Sequence, residues 1–163
     1  MNKGIINIIK VGGAVVEDET QLSRLLSDFS SVEGKKVLVH GGGRRATKVA
    51  AQLGIETKMV NGRRITDADM LEVVTMVYGG LVNKNVVAKL QAAGVNALGL
   101  TGADVDVIRS HKRPLKNGID YGFVGDVDGK KYFFSGFTTT LYFLVYSICQ
   151  RAKSRKNSML KRH

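Results

Sequence analysis

Residues 36–43, Lys36-Val37-Leu38-Val39-His40-Gly41-Gly42-Gly43, run from a short apolar stretch straight into three consecutive glycines. Ala46, Val49, Ala50 and Leu53 follow at helical spacing and form one apolar face. A strand that ends in glycine and opens a helix is half of a βαβ unit. The other half lies upstream. Ile5, Ile6, Ile8, Ile9 and Val11 form a β-branched run that predicts a buried strand, stopped by Gly12-Gly13. Leu22, Leu25, Leu26 and Phe29 then fall at i, i+3, i+4 and i+7, the spacing of a helix packed on a sheet. Strands alternating with helices favour parallel pairing, so the fold class is α/β: a mainly parallel sheet sandwiched between helices.

Downstream, Ile55 to Val60 and Ile65 flank Asn61-Gly62, a dipeptide suited to the positive φ angles of a tight hairpin. Thr66 is placed to cap the next helix, with Asp67 and Asp69 in its first turn, where carboxylates favour the positive end of the dipole. Met70, Val73, Val74 and Val77 form its buried stripe, and Gly79-Gly80 is expected to end or kink it. A further helix from about Leu81 to Ala93 stops at Gly94, and Asn96 to Leu100 reads as another strand. Asp120 to Val127 alternates with glycine and predicts a second hairpin.

At 163 residues the chain is long enough for one domain with a real core. Cys149 is the only cysteine, which excludes an intramolecular disulfide or a cysteine metal cluster and suits a reducing compartment. The first ten residues lack the apolar stretch of a signal peptide, and the run Leu141 to Cys149 is far shorter than a bilayer span, so a cytoplasmic location is expected. The net charge of +11 is unevenly spread, because residues 129–163 hold eight lysines and arginines and no acid. That basic tail could release counterions on a nucleic acid or an anionic membrane. The rest of the chain gives no support to either partner.

Candidate chemistry gathers at strand ends. Lys10 stands at the end of the first strand beside Gly12-Gly13, where open α/β sheets place ligands and where glycine N–H groups with a nearby cation can hold an anion. A strand-end lysine reaching solvent is the alternative. Gly41, Gly42 and Gly43 have the layout of an anion site at a helix N-terminus, without the spacing of a dinucleotide fingerprint or a P-loop; a plain tight turn is the alternative. Arg63 and Arg64 follow the hairpin turn, and an arginine fork suits a carboxylate, although local sequence alone favours a solvated pair. Asp104 suits a turn, and His40 suits a hydrogen-bonded structural role. No nucleophilic triad or metal site is expected.

Six segments, Ile8-Ile9-Lys10-Val11-Gly12-Gly13, Val39-His40-Gly41-Gly42-Gly43, Asn61-Gly62-Arg63-Arg64-Ile65-Thr66, Asn83-Lys84, Gly99-Leu100-Thr101-Gly102-Ala103-Asp104 and Gly122-Phe123-Val124-Gly125-Asp126, together resemble the acetylglutamate kinases of the amino acid kinase family in order and spacing. The resemblance implies transfer of a phosphoryl group from ATP, with Mg2+, to the side-chain carboxylate of N-acetyl-L-glutamate or a related N-acylglutamate, an early step of arginine biosynthesis. It implies that Lys10 stabilises the transition state and that Gly42 and Gly43 bind substrate or the transferring phosphoryl. It further implies that Arg64 holds a substrate carboxylate, that the Asn61 hairpin forms part of a lid, and that the protein is a homo-oligomer.

The resemblance covers residues 1–128, expected to form the substrate-binding part of the kinase domain. Beyond Asp128 the acids vanish and seven of the eleven aromatic residues crowd together, which marks 129–163 as an atypical tail, irregular or translated in a shifted frame. The nucleotide-binding segments of the family are not legible in it, so little turnover is expected, and a shortened sheet is expected to leave an open edge and exposed apolar surface.

Overall fold

The computed structural model describes residues 6–104, 107–128 and 142–143. Strands β1 (Ile6–Val11) and β2 (Lys35–His40) pair in parallel from Ile6↔Lys35 to Val11↔His40, which brings their C-terminal ends side by side. The crossover between them contains α1 (Gly13–Glu17) and α2 (Glu19–Ser31). Asp18 starts α2 by accepting a hydrogen bond from the Gln21 N–H at 2.9 Å. The stripe foreseen on this helix is buried: Leu22, Leu26 and Phe29 pack with Val11, Leu38, Val86, Leu90 and Ala97, and Leu25 lies at the margin. Each such side chain contributes about 1.5–3 kcal/mol on burial, so this cluster is what fastens the helices to the sheet.

Lys36 is a buried cation under the end of α2. Its Nζ donates to the carbonyls of Ser30 and Val32, both at 2.7 Å, and stands 5.3 Å from the centre of the Phe29 ring. A lysine there satisfies carbonyls that a helix C-terminus leaves open. Desolvation pulls its pKa below the ordinary lysine value.

The first strand is less covered than its apolar run suggests. Ile8 is 71% exposed and Ile6 41%, while Val11 is buried; Ile5 lies outside the described residues. The period of two puts Ile6, Ile8 and Lys10 on one face. Across the ladder, Val37 and Val39 of that face are covered by Val107 and Ile108, but among the described residues that cover does not extend over β1.

Helix α3 (Gly43–Gln52) buries Ala46 and Ala50, whereas Leu53 lies at its cap and is 56% exposed, contrary to the expectation of an inward Leu53. The hairpin of β3 (Met59–Val60) and β4 (Arg63–Arg64) turns at Asn61 and Gly62, with φ of 50° and 71°. The cap of α4 (Ala68–Val74) is Asp67, whose carboxylate accepts from the Met70 N–H at 3.0 Å. Thr66 is instead buried, its N–H donating to Tyr121 O at 3.0 Å and its carbonyl accepting from the Phe123 N–H at 2.7 Å. Tertiary pairing has claimed Thr66, so the cap falls one residue later.

Gly79-Gly80 neither ends nor breaks the helix. The chain passes from α4 through a π-helical segment, Thr75–Val82, directly into α5 (Asn83–Ala92), which stops at Gly94 with φ 76°. Met70, Val73, Val74, Val77, Tyr78 and Val82 form one continuous cluster with Ala46 and Ala50. This packing holds the helix together through two residues of poor propensity.

The strand foreseen at Asn96 to Leu100 is confined to β5 (Gly99–Leu100). The second hairpin is wider than Asp120 to Val127: β6 (Ser110–Lys112) pairs antiparallel with β7 (Gly125–Val127), and the chain reverses at Asn117-Gly118. Arg113 clasps one oxygen of Asp126 at 2.7 and 2.8 Å and holds that carboxyl below its ordinary pKa. Strand β8 (Tyr142–Phe143) pairs in parallel with β5. The remainder of 129–163 lies outside the described residues. None of the described helices is long and apolar enough to cross a membrane.

Candidate anion-binding site

The glycine turns meet because the strands before them are neighbours. Val11 pairs with His40, so Gly12-Gly13 and Gly41-Gly42-Gly43 leave the sheet together, and a Cβ on Gly13 would lie 3.9 Å from the Gly43 nitrogen. Gly42 is the N-cap of α3 and has no side-chain oxygen to offer, so the first N–H groups of that helix have no side-chain cap. A helix start without a cap is a donor set for an anion.

Arg64 crosses from the β3–β4 hairpin to this helix start. Its Nη2 donates to Gly43 O at 2.8 Å and to Thr47 Oγ1 at 2.6 Å. Its Nε is buried and has no hydrogen-bond partner among the described residues. The guanidinium is therefore anchored by one nitrogen, with an N–H still lacking an acceptor. Arg63, the other arginine of the pair, is exposed.

Lys10 is exposed at the end of β1, on the sheet face of Val39, and makes no hydrogen bond or ion pair among the described residues. Two residues separate it in sequence from Gly13. Gly12 and Gly41 have open space where a Cβ would stand. Gly42 is different: a Cβ there would come within 2.6 Å of Tyr78 Cδ1 and 2.9 Å of Cε1, so a side chain is excluded by the ring.

His40 has the structural character read from the sequence. It is buried, and its Nδ1 lies 2.9 Å from the carbonyl of Gly41, which assigns Nδ1 as the protonated nitrogen. Burial drives its pKa below the ordinary value, only partly offset by that bond. Asp104 closes its turn by accepting from the Thr101 N–H and hydroxyl at 2.5 and 2.7 Å. Asn83-Lys84 ties α5 to β5: Lys84 Nζ donates to Gly99 O at 3.1 Å, and the close seat of Asn83 leaves no room for a side chain at Gly99.

Sequence reasoning missed Tyr78 and Thr47. Tyr78 falls outside the Met70, Val73, Val74 and Val77 stripe read from the sequence, although an aromatic residue immediately before Gly79-Gly80 was a signal for a close backbone approach. Thr47 carried none, because its part depends on where the hairpin places Arg64.

The arrangement is a set of backbone donors, one anchored guanidinium and, among the described residues, one unpaired ammonium at the C-terminal edge of a parallel sheet. It can hold anionic groups and offset charge that moves between them.

The chain is 73% identical over 123 residues to an acetylglutamate kinase of Bacteroides fragilis, a match covering 76% of this chain and 47% of that protein. It is likewise 73% identical over 123 residues to an acetylglutamate kinase of Phocaeicola vulgatus, covering 76% of this chain and 48% of that one. The chain thus spans about half the length of the curated relatives it matches. In the crystal structure of smu.665 from Streptococcus mutans UA159, 26% identical, the fold superimposes with a TM-score of 0.69 over 86% of this chain and 58% of that one. The model of the amino acid kinase family matches residues 6–132, and on that match and those identities the chain belongs to the amino acid kinase family.

Proposed function

We propose that residues 1–128 form the acceptor-binding part of an acetylglutamate kinase, which transfers a phosphoryl group from ATP to the side-chain carboxylate of N-acetyl-L-glutamate in arginine biosynthesis. The observation that carries this reading is Arg64: tied to the uncapped start of α3 by one nitrogen, it retains a buried Nε–H without an acceptor. A substrate carboxylate supplies that acceptor.

A side-chain carboxylate is already ionised near neutral pH, with an ordinary pKa of about 4.3, so the acceptor needs no general base. Two anions must instead be brought together, and positive charge with fixed donors lowers that barrier. In this reading Arg64 holds a carboxylate of the substrate, and the N–H groups of Gly42 and Gly43 orient the attacking end. Lys10 offsets charge on the transferring group, while Gly12, Gly13 and Gly41 let the backbone approach it. ATP supplies the phosphoryl group. The open space at Gly12 and Gly41 and the unpaired ammonium of Lys10 suit the phosphate end of that nucleotide. Mg2+ is expected to arrive with the nucleotide phosphates, since no group of three or more His, Cys, Asp or Glu among the described residues could hold a metal ion. A cytoplasmic location and assembly into a homo-oligomer belong to the same reading.

Because the chain spans about half the length of its relatives, the direct test is binding. Calorimetric titration of the 163-residue chain with N-acetyl-L-glutamate should give saturable heat. Arg64→Ala should weaken it by at least tenfold, the loss of one charge-assisted hydrogen bond of about 1.5–3 kcal/mol. Binding that survives unchanged in Arg64→Ala, or an absence of binding to the parent chain, would sink the proposal.

A further inference from the structure

Each of the three consecutive glycines at the start of α3 is met by a different side chain. The Gly41 carbonyl accepts from His40 Nδ1 at 2.9 Å. The Cα of Gly42 is covered by the Tyr78 ring, closely enough that a methyl group there would come within 2.6 Å of Cδ1. The Gly43 carbonyl accepts from Arg64 Nη2 at 2.8 Å. Three glycines in a row lose more backbone freedom on ordering than any other tripeptide, so a turn of this kind keeps one shape only where its surroundings impose it.

The geometry points to His40 and Tyr78 as positioning residues that set the shape of the Gly41–Gly43 turn, and with it the direction of the N–H groups at the start of α3. This rests on the function proposed above for that turn. Neither residue needs to touch the ligand. His40 is buried, and its bond to Gly41 limits the rotation of the peptide between Gly41 and Gly42. Tyr78 is also buried and stands in the π-helical segment Thr75–Val82. A π-helical turn inserts an extra residue and shifts the side chains after it, a feature that persists where the displaced residue has a use. Here the wide turn runs beneath the glycines. Its next residue, Gly79, is constrained in turn: a Cβ there would lie 3.1 Å from Thr101 Cγ2. The π segment is therefore packed between the glycine turn and the Thr101 loop, and it carries the ring that supports Gly42.

The test uses the 163-residue chain, 1H–15N spectra of the free protein and titration with N-acetyl-L-glutamate. His40→Asn keeps an N–H donor near the Nδ1 position, and Tyr78→Phe keeps the ring. Both should leave the Gly41, Gly42 and Gly43 amide shifts near those of the parent and hold affinity within about threefold. His40→Leu and Tyr78→Leu remove donor and ring. Each should move those amide shifts and weaken binding by about tenfold or more. If the leucine variants do not fold, Gly42→Ala probes the same contact from the other side, and its methyl group should move the Gly41 and Gly43 amides. Glycine shifts that stay in place in the folded leucine variants, or in Gly42→Ala, overturn the inference. Shifts that follow donor and ring in a chain that fails to bind N-acetyl-L-glutamate leave the positioning role standing and defeat the proposed substrate.

Discussion

Gly122→Ala should be among the most damaging small substitutions in the chain. Gly122 has φ 75°, and an added methyl would run into the carbonyl oxygen of Thr66, with the Thr66 carbonyl carbon 2.7 Å away. An alanine held in the left-handed region costs about 1–2 kcal/mol. Thr66 is buried and cannot move without straining two backbone hydrogen bonds, from Phe123 N–H to Thr66 O at 2.7 Å and from Thr66 N–H to Tyr121 O at 3.0 Å. Each lost bond that leaves a buried group unsatisfied adds about 1–3 kcal/mol, for a total of about 3–8 kcal/mol against a typical stability of about 5–15 kcal/mol. Gly118 is the control: its φ is 74°, but it has open space where the Cβ would stand, so Gly118→Ala should cost only the backbone part. Urea unfolding followed by far-ultraviolet circular dichroism separates the two. With a slope of about 2 kcal/mol per molar, the Gly122→Ala midpoint should fall by about 1.5 M or more and that of Gly118→Ala by about 1 M or less. Equal losses in the two variants would refute the steric reasoning and leave only the backbone angle. Arg64 stands two residues before Thr66, so a loosened Thr66 should also weaken N-acetyl-L-glutamate binding.

The buried His40 makes stability depend on pH in a defined window. Its folded pKa is lowered, chiefly by burial, so the unfolded chain takes up the proton more readily; the contribution is complete above about pH 6.5 and is lost as pH falls through the folded value. His40→Asn should flatten the stability profile just below pH 6.5, and an unchanged slope there would count against a buried neutral imidazole. Asp126, held down mainly by its Arg113 bond, acts in a separate window below about pH 4 and should behave alike in both proteins. Asp67→Ala should lower stability by about 1 kcal/mol through loss of the α4 cap, measured as a urea midpoint shift, whereas an effect seen only on replacing Thr66 would return the cap to that residue.

Much of the fold is legible in local pattern. The stripes Leu22-Leu26-Phe29 and Met70-Val73-Val74-Val77 are buried as their spacing foretells, and Asn61-Gly62 turns its hairpin with the positive φ angles that Asn and Gly tolerate. The misses share one cause. Thr66 is an equally good local cap, but a bridge to Gly122 removes it from that role. Gly79-Gly80 is a local helix breaker, yet the helix continues because Tyr78 and Val82 are packed on either side of it. The Asp120 hairpin is misplaced because the alternation there is real but its partner strand is Ser110–Lys112.

What the sequence alone determined is the chemistry at hand: a lysine and two glycine runs at strand ends, an arginine after a tight turn, and the order of strands and helices that makes the sheet parallel. These follow from periodicity and from the φ angles that single residues allow, both properties of a few neighbouring positions. Only the tertiary structure decided that the two glycine turns lie together, that Arg64 reaches the start of α3, and that His40 and Tyr78 brace the turn between them. Those contacts join segments distant along the chain, and their geometry is set by how helices and strands pack rather than by any local preference.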